Sequence, residues 1–248
     1  AGHAGTLDPL ASGILPILFG EATKFAEFGL NSDKRYIAKV AMGSKTSTGD
    51  SEGEIVRTKF FDRNLDFKPI LSSFIGKQYQ LPPMYSALKY KGKPLYEYAR
   101  KGKKIPREMR LIHIKSLKFI SLKESILTLD VTCSKGTYIR TLAEDIGEKL
   151  GSCAHLCDLR RIEVGVLGIE NAFSLNKLQQ LYVKCPDALN KKLKPVELFI
   201  NHWPSIVLNQ ENKKKFLNGQ KIQIDFHATK DEKNSLVRVY SLDESFLG

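Results

Sequence analysis

The chain has 248 residues, 42% of them hydrophobic and 27% charged, as is typical of a soluble globular protein with a substantial core. Its 39 Lys and Arg against 27 Asp and Glu leave a net charge of +12, which favours a polyanionic partner, although a basic solvated surface explains it equally well. No apolar run approaches the roughly 20 residues that cross a bilayer, and no signal segment opens the chain, so we expect no membrane partner and a cytoplasmic protein.

The four cysteines are too few and too unevenly spaced to predict a disulfide framework. Cys153, His155 and Cys157 suggest a metal site, but no second ligand pair follows at a usual spacing. We therefore expect structural thiols and no bound metal.

In the first third of the chain, alternation predicts one strand. The apolar run 14–19 is too short to assign. Residues 36–42 alternate and predict a strand, with one face formed by Tyr36, Ala38, Val40 and Met42. The polar cluster 46–53 predicts a turn that closes a hairpin into residues 54–56.

A basic segment occupies the middle of the chain. Residues 66–75 have helical spacing, and Pro82 and Pro83 cannot continue a helix. Cations then follow in residues 89–110, interleaved with tyrosines: Lys89, Lys91, Lys93, Arg100, Lys101, Lys103, Lys104, Arg107 and Arg110, with Tyr85, Tyr90, Tyr96 and Tyr98. Aromatic rings stack on bases while cations hold phosphates, so this mixture favours RNA contact over a solvated face.

The later part of the chain predicts strands and two helices. Residues 126–133 alternate as a half-buried strand, and an amphipathic helix stopped by Gly151 follows, burying Ile139, Leu142, Ala143, Ile146 and Leu150. Residues 161–167 predict a further strand, and Ser174 caps a short helix that runs to residue 181.

Beyond a linker at residues 191–195, alternation at 221–226 and 236–240 predicts a small β-rich region. The chain as a whole therefore predicts an α+β fold with a small β appendix.

Residues 2–13, with the sequence GHAGTLDPLASG, form a loop that contains one imidazole and one carboxylate. The carboxylate of Asp8 has two interpretations. It suits the N-cap of a helix with Pro9 in the first turn, and it equally suits a residue that faces a ligand.

Several blocks of residues, in order, resemble the TruB family of pseudouridine synthases. The blocks are residues 2–13, 20–24, 34–36, 48–53, 80–89, 133–140 and 159–161. The resemblance is clear to about Phe173, and from residue 195 the chain resembles a PUA-type RNA-binding domain more weakly. Family members also carry an N-terminal Lys-Pro segment and later C-terminal strands that this sequence does not contain.

The resemblance implies isomerisation of the uridine at position 55 in the T loop of tRNA, without cofactor or metal. The C1′–N1 bond breaks, the uracil turns, and C1′ rejoins through C5. Asp8 is then the catalytic carboxylate, either attacking C1′ or taking the C2′ proton. Arg140 is implied to hold Asp8 ionised and oriented; without the resemblance it reads as a solvated arginine at a helix start.

The resemblance also assigns the substrate contacts. Tyr36 stacks on the flipped base and assists removal of the C5 proton, unless it is a core tyrosine. Tyr138 and Leu159 line the pocket, and His3 fills the space that the base vacates, unless it is a loop histidine without a ligand role. The RNA contacts of the basic segment are assigned to Lys89, Arg100, Lys101, Lys103 and Lys104.

The resemblance implies a mixed, mainly antiparallel sheet flanked by helices. The expected organisation is a catalytic domain at 1–193, with an RNA-binding insertion at about 81–110, and a PUA-like domain at 194–248. The expected partner is the T arm of tRNA, bound by a monomer that needs no protein partner. Two alternatives stay open: an RNA-remodelling protein that folds tRNA, and the catalytic subunit of an RNA-guided pseudouridylation particle.

Overall fold

Two units, Ala1–Phe173 and Ser174–Gly248, divide the chain. The computed structural model describes residues 1–223 and 236–248. The strands and helices of the first unit are β1 Gly2–His3, β2 Ala11–Gly13, β3 Ile17–Leu18, α1 Ala26–Asn31, β4 Lys34–Met42, β5 Ser44–Thr46, β6 Ile55–Thr58, α2 Lys68–Ser72, β7 Gly76–Gln80, β8 Lys89–Tyr90, β9 Lys93–Pro94, α3 Leu95–Ala99, β10 Arg110–Lys123, β11 Ile126–Cys133, α4 Ile139–Lys149, β12 Ala154–Val164 and β13 Leu167–Gly168. Two 3₁₀ helices, Gly20–Phe25 and Ile169–Asn171, complete this unit.

One large sheet organises the first unit, with strands in the order β13-β12-β4-β11-β10-β7. Every neighbouring pair in this order is antiparallel, and β2 adds to β12 in parallel. The predicted α+β fold with a mixed, mainly antiparallel sheet and flanking helices is therefore confirmed. The parallel strand β2 is important for function, because it brings the segment that contains Asp8 beside strand β12.

The core lies between this sheet and helix α4. Strand β11 begins and ends where alternation predicts, and its inward residues Leu127, Leu129, Val131 and Cys133 are buried. The predicted helix face is buried as well, and Gly151 has a φ of +73° directly after the helix. Burying a Leu, Ile or Val side chain contributes roughly 1.5–3 kcal/mol, so this layer holds the sheet rigid beneath the aspartate loop.

The predicted strand at 36–42 and the hairpin closed by residues 46–53 are both confirmed, as strand β4 and as the pair β5–β6. The helix expected at 66–75 is confined to Lys68–Ser72. It ends early because Ser73 and Phe74 close a turn before Gly76, which has a φ of +115° and starts β7.

One of the two interpretations of Asp8 and one predicted strand boundary in this unit are wrong. Asp8 does not cap a helix, because residues 9 and 10 form a turn that leads into β2. The strand expected at 161–167 starts earlier, at Ala154, and ends at Val164. Its first residues are buried on both faces and show no alternation, whereas Gly165, with a φ of +57°, turns the chain at its end.

The second unit contains α5 Leu175–Lys184, α6 Asp187–Asn190, a 3₁₀ helix Val196–Ile200, β14 Ser205–Leu208, α7 Gln210–Leu217 and β15 Arg238–Ser241. The expected cap is present, since Ser174 Oγ accepts a hydrogen bond from Lys177 N at 3.3 Å. The strand expected at 236–240 corresponds to β15, which pairs in parallel with β14. The strand expected at 221–226 lies largely outside the described residues. Across the two described ranges, no helix has the length and apolar character needed to cross a membrane.

The division into a catalytic domain at 1–193 and a PUA-like domain at 194–248 stays a prediction.

Candidate active site

Asp8 lies on the loop between β1 and β2, and Arg140 binds its carboxylate. Arg140 Nε donates to Asp8 Oδ2 at 2.9 Å. The same guanidinium lies 3.4 Å from Asp50 Oδ2 and donates to the carbonyls of Thr48 and Tyr85 at 3.1 and 2.7 Å. Two carboxylates thus share one arginine, which orients the carboxylate of Asp8.

Helix α4 places Arg140 in its first turn, and the arginine is only 5% exposed. The alternative of a solvated arginine at a helix start is therefore wrong. Gln80 fixes the start of this helix, because its side-chain amide donates to Tyr138 O at 3.1 Å and accepts from Tyr138 N at 2.8 Å. The buried edge of β7 thereby sets the position of Arg140.

A second buried arginine, Arg161, holds the aspartate loop from the other side. Its side chain is 1% exposed and donates to Ile14 O, Thr6 O and Gly5 O at 2.9, 3.2 and 3.0 Å. No carboxylate in the described chain lies within 4.0 Å of its guanidinium. Sequence reasoning included this residue in a motif but gave it no role.

Gly13 closes the same loop against strand β12. Its φ is +112°, and a Cβ atom at this position would lie 2.1 Å from Arg161 O. Ile14 N also donates to Arg161 O at 2.9 Å. Only glycine allows this approach, so residue 161 anchors both ends of the aspartate loop.

Tyr36, on β4, faces the same space as Asp8. Burial raises the pKa of its hydroxyl to about 12, Cys133 adds to that rise, and the nearby Arg161 guanidinium opposes it by charge and hydrogen bonding. Tyr36 is partly buried and packs against the core, so it is both a core contact and a cavity residue.

Asp8, Tyr36 and Arg161 line a cavity of about 340 Å³, which we call the Asp8 cavity. Its wall includes Asp8, Tyr36, Tyr138, Leu159, Lys34 and Arg161. A volume in this range suits a small organic group. Burial raises the pKa of Tyr138, and the neighbouring Ser86 opposes that rise by hydrogen bonding.

Lys34 is a buried cation of this wall that sequence reasoning also missed. Its Nζ donates to the carbonyls of Gly29, Leu30 and Ser32 at 3.0, 2.6 and 2.6 Å. Burial, reinforced by the charge of Arg161, lowers its pKa to about 8. Its three hydrogen bonds fix the end of α1 beside the cavity.

The remaining expected site residues lie outside this wall. His3 is exposed on β1, and its Nδ1 accepts from Gly5 N at 3.3 Å, which places it at the entrance of the loop. The five cations of the basic segment are exposed, and Arg100 lies over the Tyr96 ring at 5.4 Å. Among the residues that the structure describes, no group of three or more His, Cys, Asp or Glu is arranged to hold a metal.

Three known families match successive parts of the chain. Residues 1–139 match the family described as TruB family pseudouridylate synthase (N terminal domain). Residues 140–201 match the tRNA pseudouridylate synthase B C-terminal domain, and residues 204–248 match the family described as Pseudouridine synthase II TruB, C-terminal.

Two relatives from different bacteria carry the same name. A protein of Burkholderia mallei (strain NCTC 10247), named tRNA pseudouridine synthase B, is 46% identical over 253 residues, covering 100% of this chain and 82% of its own length. The protein of the same name from Cupriavidus metallidurans is 45% identical, covering 100% of this chain and 80% of its own. A solved Cbf5-Nop10-Gar1 complex matches with a TM-score of 0.74 at 23% identity, covering 99% of this chain and 68% of that chain, and so supports the fold.

Proposed function

The chain belongs to the TruB family of pseudouridine synthases, and we propose that it converts the uridine at position 55 in the T loop of tRNA to pseudouridine. The observation that carries this proposal is the Asp8–Arg140 pair at 2.9 Å beside a cavity lined by Tyr36. The relatives named tRNA pseudouridine synthase B support tRNA as the substrate.

The proposed reaction needs one carboxylate and a base that is free to rotate. The C1′–N1 bond breaks and its electron pair leaves with the uracil. The uracil then turns, C1′ bonds to C5, and the C5 proton is lost as N1 gains one, so that no atoms are added. Asp8 either attacks C1′ or takes the C2′ proton, and both roles need the orientation that Arg140 provides.

A uridine inside a folded loop must leave its stack to reach Asp8, which costs a few kcal/mol. In our proposal, the Asp8 cavity receives the extruded base between Tyr36 and Leu159. The Tyr36 hydroxyl is proposed to help remove the C5 proton. His3, at the loop entrance, is proposed to occupy the space left in the RNA.

The exposed cations of the basic segment are proposed to bind the phosphates of the T arm. We expect the triple change of Lys101, Lys103 and Lys104 to alanine to weaken binding of a T-arm hairpin and to lower its salt slope by about 2–3, since each lost phosphate contact removes roughly 0.7–0.9. The matched control replaces the exposed Lys59, Lys68 and Lys123. Equal slopes for the two triple variants would indicate that the basic segment is a solvated surface that does not bind the phosphates.

The protein is proposed to act as a cytoplasmic monomer without a protein partner. The solved structure with a similar fold is a Cbf5-Nop10-Gar1 complex, so an RNA-guided particle is the competing arrangement. An RNA-remodelling protein without catalysis is the other alternative, against which the Asp8–Arg140 pair argues.

One experiment separates the three. Purified protein is mixed with an unmodified T-arm hairpin that carries tritium at C5 of its uridines, with no guide RNA present. Release of tritium is expected, because the C5 hydrogen leaves when C1′ bonds to C5. Binding without release contradicts the synthase proposal and favours remodelling, whereas release only after a guide RNA is added favours the particle.

A further inference from the structure

A second cleft, of about 670 Å³, opens beside the Asp8 cavity. It is formed by β7, the start of β10 and the loop after β11. Its lining includes Lys77, Arg110, His113 and Lys135. The two spaces share Leu30, Ser134 and Gly136, so they adjoin along a common rim. We call this second space the cationic cleft.

The charge of the cationic cleft is one-sided. Lys77, Arg110 and Lys135 are exposed, and no Asp or Glu is among the residues that line it. Lys135 Nζ donates to Asn31 Oδ1 at 2.7 Å, which orients its ammonium at the rim. Cations gathered without acids repel one another, and an anion placed among them offsets that repulsion.

The strands of this cleft also present an exposed aromatic ring. Tyr79 lies opposite Leu111, and the next two pairs along the same strands are Gln78 with Ile112 and then Lys77 with His113. Tyr79 and Leu111 are 66% and 58% exposed, and Leu111 is part of the cleft lining. Alternation along a strand puts Lys77 and Tyr79 on the same face of β7. A cation beside an exposed ring is the pattern that holds single-stranded RNA by phosphate and base.

We propose that the cationic cleft binds the RNA strand directly next to the flipped uridine, with Lys77, Arg110 and Lys135 on its phosphates and Tyr79 under a base. This rests on the proposed function, since the strand reaches the cleft from a uridine held in the Asp8 cavity. A flipped nucleotide remains joined to its neighbours through two phosphodiesters. The shared rim of Leu30, Ser134 and Gly136 is the path by which one of them enters the cleft.

The first test measures binding of an unmodified T-arm hairpin by the variant Lys77→Ala/Lys135→Ala. The control is Lys118→Ala/Lys123→Ala, which removes two exposed lysines from the far part of strand β10. We expect the cleft variant to bind about tenfold or more weakly, with a salt slope lower by about 2, and the control to match the wild type. Equal affinity and slope for the two variants would overturn the proposal.

The second test identifies which phosphates are bound. Hairpins are made with one neutral methylphosphonate linkage at each position around the reactive uridine. At a phosphate held by the cleft, the neutral linkage weakens binding to the wild type and has no further effect on Lys77→Ala/Lys135→Ala. A loss of the same size in both proteins at every position next to the uridine contradicts the proposal.

Tritium release by the wild type distinguishes a failure of the cleft proposal from a failure of the proposed function. Normal release, with unchanged binding by the cleft variant, rejects the cleft alone. A wild type that binds the hairpin through the cleft phosphates but releases no tritium supports the cleft and rejects the synthase reaction.

Discussion

The two sides of the aspartate loop are each held by a buried arginine, and the two arginines have different partners. Arg140 contacts two carboxylates, those of Asp8 and Asp50. Arg161 donates to three backbone carbonyls of the loop, and among the described residues it pairs with no carboxylate. The difference indicates that Arg140 contributes mainly through its charge, whereas Arg161 contributes through the fixed fork of its donors.

The two arginines also differ in the free energy that the burial of their charge costs. A buried arginine that faces carboxylates regains by attraction part of the hydration it loses, whereas one that faces carbonyls regains only hydrogen bonds. The charge of Arg161 therefore stands in the wall of the Asp8 cavity without a carboxylate partner among the described residues, near Tyr36 and the buried Lys34. We infer that Arg161 is a positioning residue, which fixes where Asp8 stands relative to Tyr36.

The largest effect is expected for Asp8→Asn, which removes the negative charge that faces Arg140 and keeps the shape of the side chain. Turnover should fall on the order of 10⁴-fold, because an amide neither attacks C1′ nor takes a proton at neutral pH. Hairpin binding should stay close to the wild type, since the phosphate contacts are unchanged. Tritium release and hairpin affinity, measured side by side, check both parts; retained turnover would remove Asp8 from the chemistry.

Arg140→Met is expected to affect stability most. It leaves Asp50, which is 3% exposed, without its cation, and breaking a buried pair in this way costs about 3–5 kcal/mol. Urea unfolding measures this loss in the free energy of unfolding. The double variant Arg140→Met/Asp50→Asn should recover part of it, because the lone buried charge is then gone. No recovery would mean that the hydrogen bonds to Thr48 and Tyr85 carry the stability.

The contrast between the arginines also separates what the sequence predicts from what it does not. Arg140 follows a clean strand and opens an amphipathic helix, two patterns of fixed period, so its place was expected from the sequence pattern. Its pairing with Asp8 was expected only from the family resemblance. The partners of Arg161 are carbonyls 147 to 156 residues away in the chain. Carbonyls belong to every residue, so no side-chain pattern indicates which of them an arginine will bind.

Burial on both faces explains the error in strand β12. Residues 153–156 are all buried, and a strand covered on both sides has no alternation to reveal where it begins. The Asp8-Pro9 pair was equally ambiguous, because the same two residues suit a helix start and a turn. The parallel pairing of β2 with β12, a long-range contact, decides for the turn.

Arg161→Met is expected to lower turnover about 10²-fold with little change in hairpin affinity, because a shift of about 1 Å in a reacting group has an effect of that size. Stability should fall by about 1–3 kcal/mol for the carbonyls left unpaired. The matched control is Arg160→Met, since its neighbour Arg160 is exposed and should behave as the wild type. Arg161→Lys keeps the charge without the fork, so full activity in that variant would contradict the positioning role.

Asp50→Asn is expected to have the smallest effect, and it tests whether the second carboxylate of Arg140 takes part in the chemistry. Asn keeps the Oδ1 acceptor that Asp50 offers to Thr48 Oγ1 and Glu52 N, so the turn at 46–53 should hold. Arg140 then faces Asp8 alone, and the pair tightens rather than breaks. Tritium release within about fivefold of the wild type is the expected outcome. A substitution that keeps these hydrogen bonds should change the activation free energy by no more than about 1 kcal/mol. A loss approaching that of Asp8→Asn would show that the two carboxylates act together, and that Arg140 holds a catalytic pair instead of one catalytic residue beside a structural one.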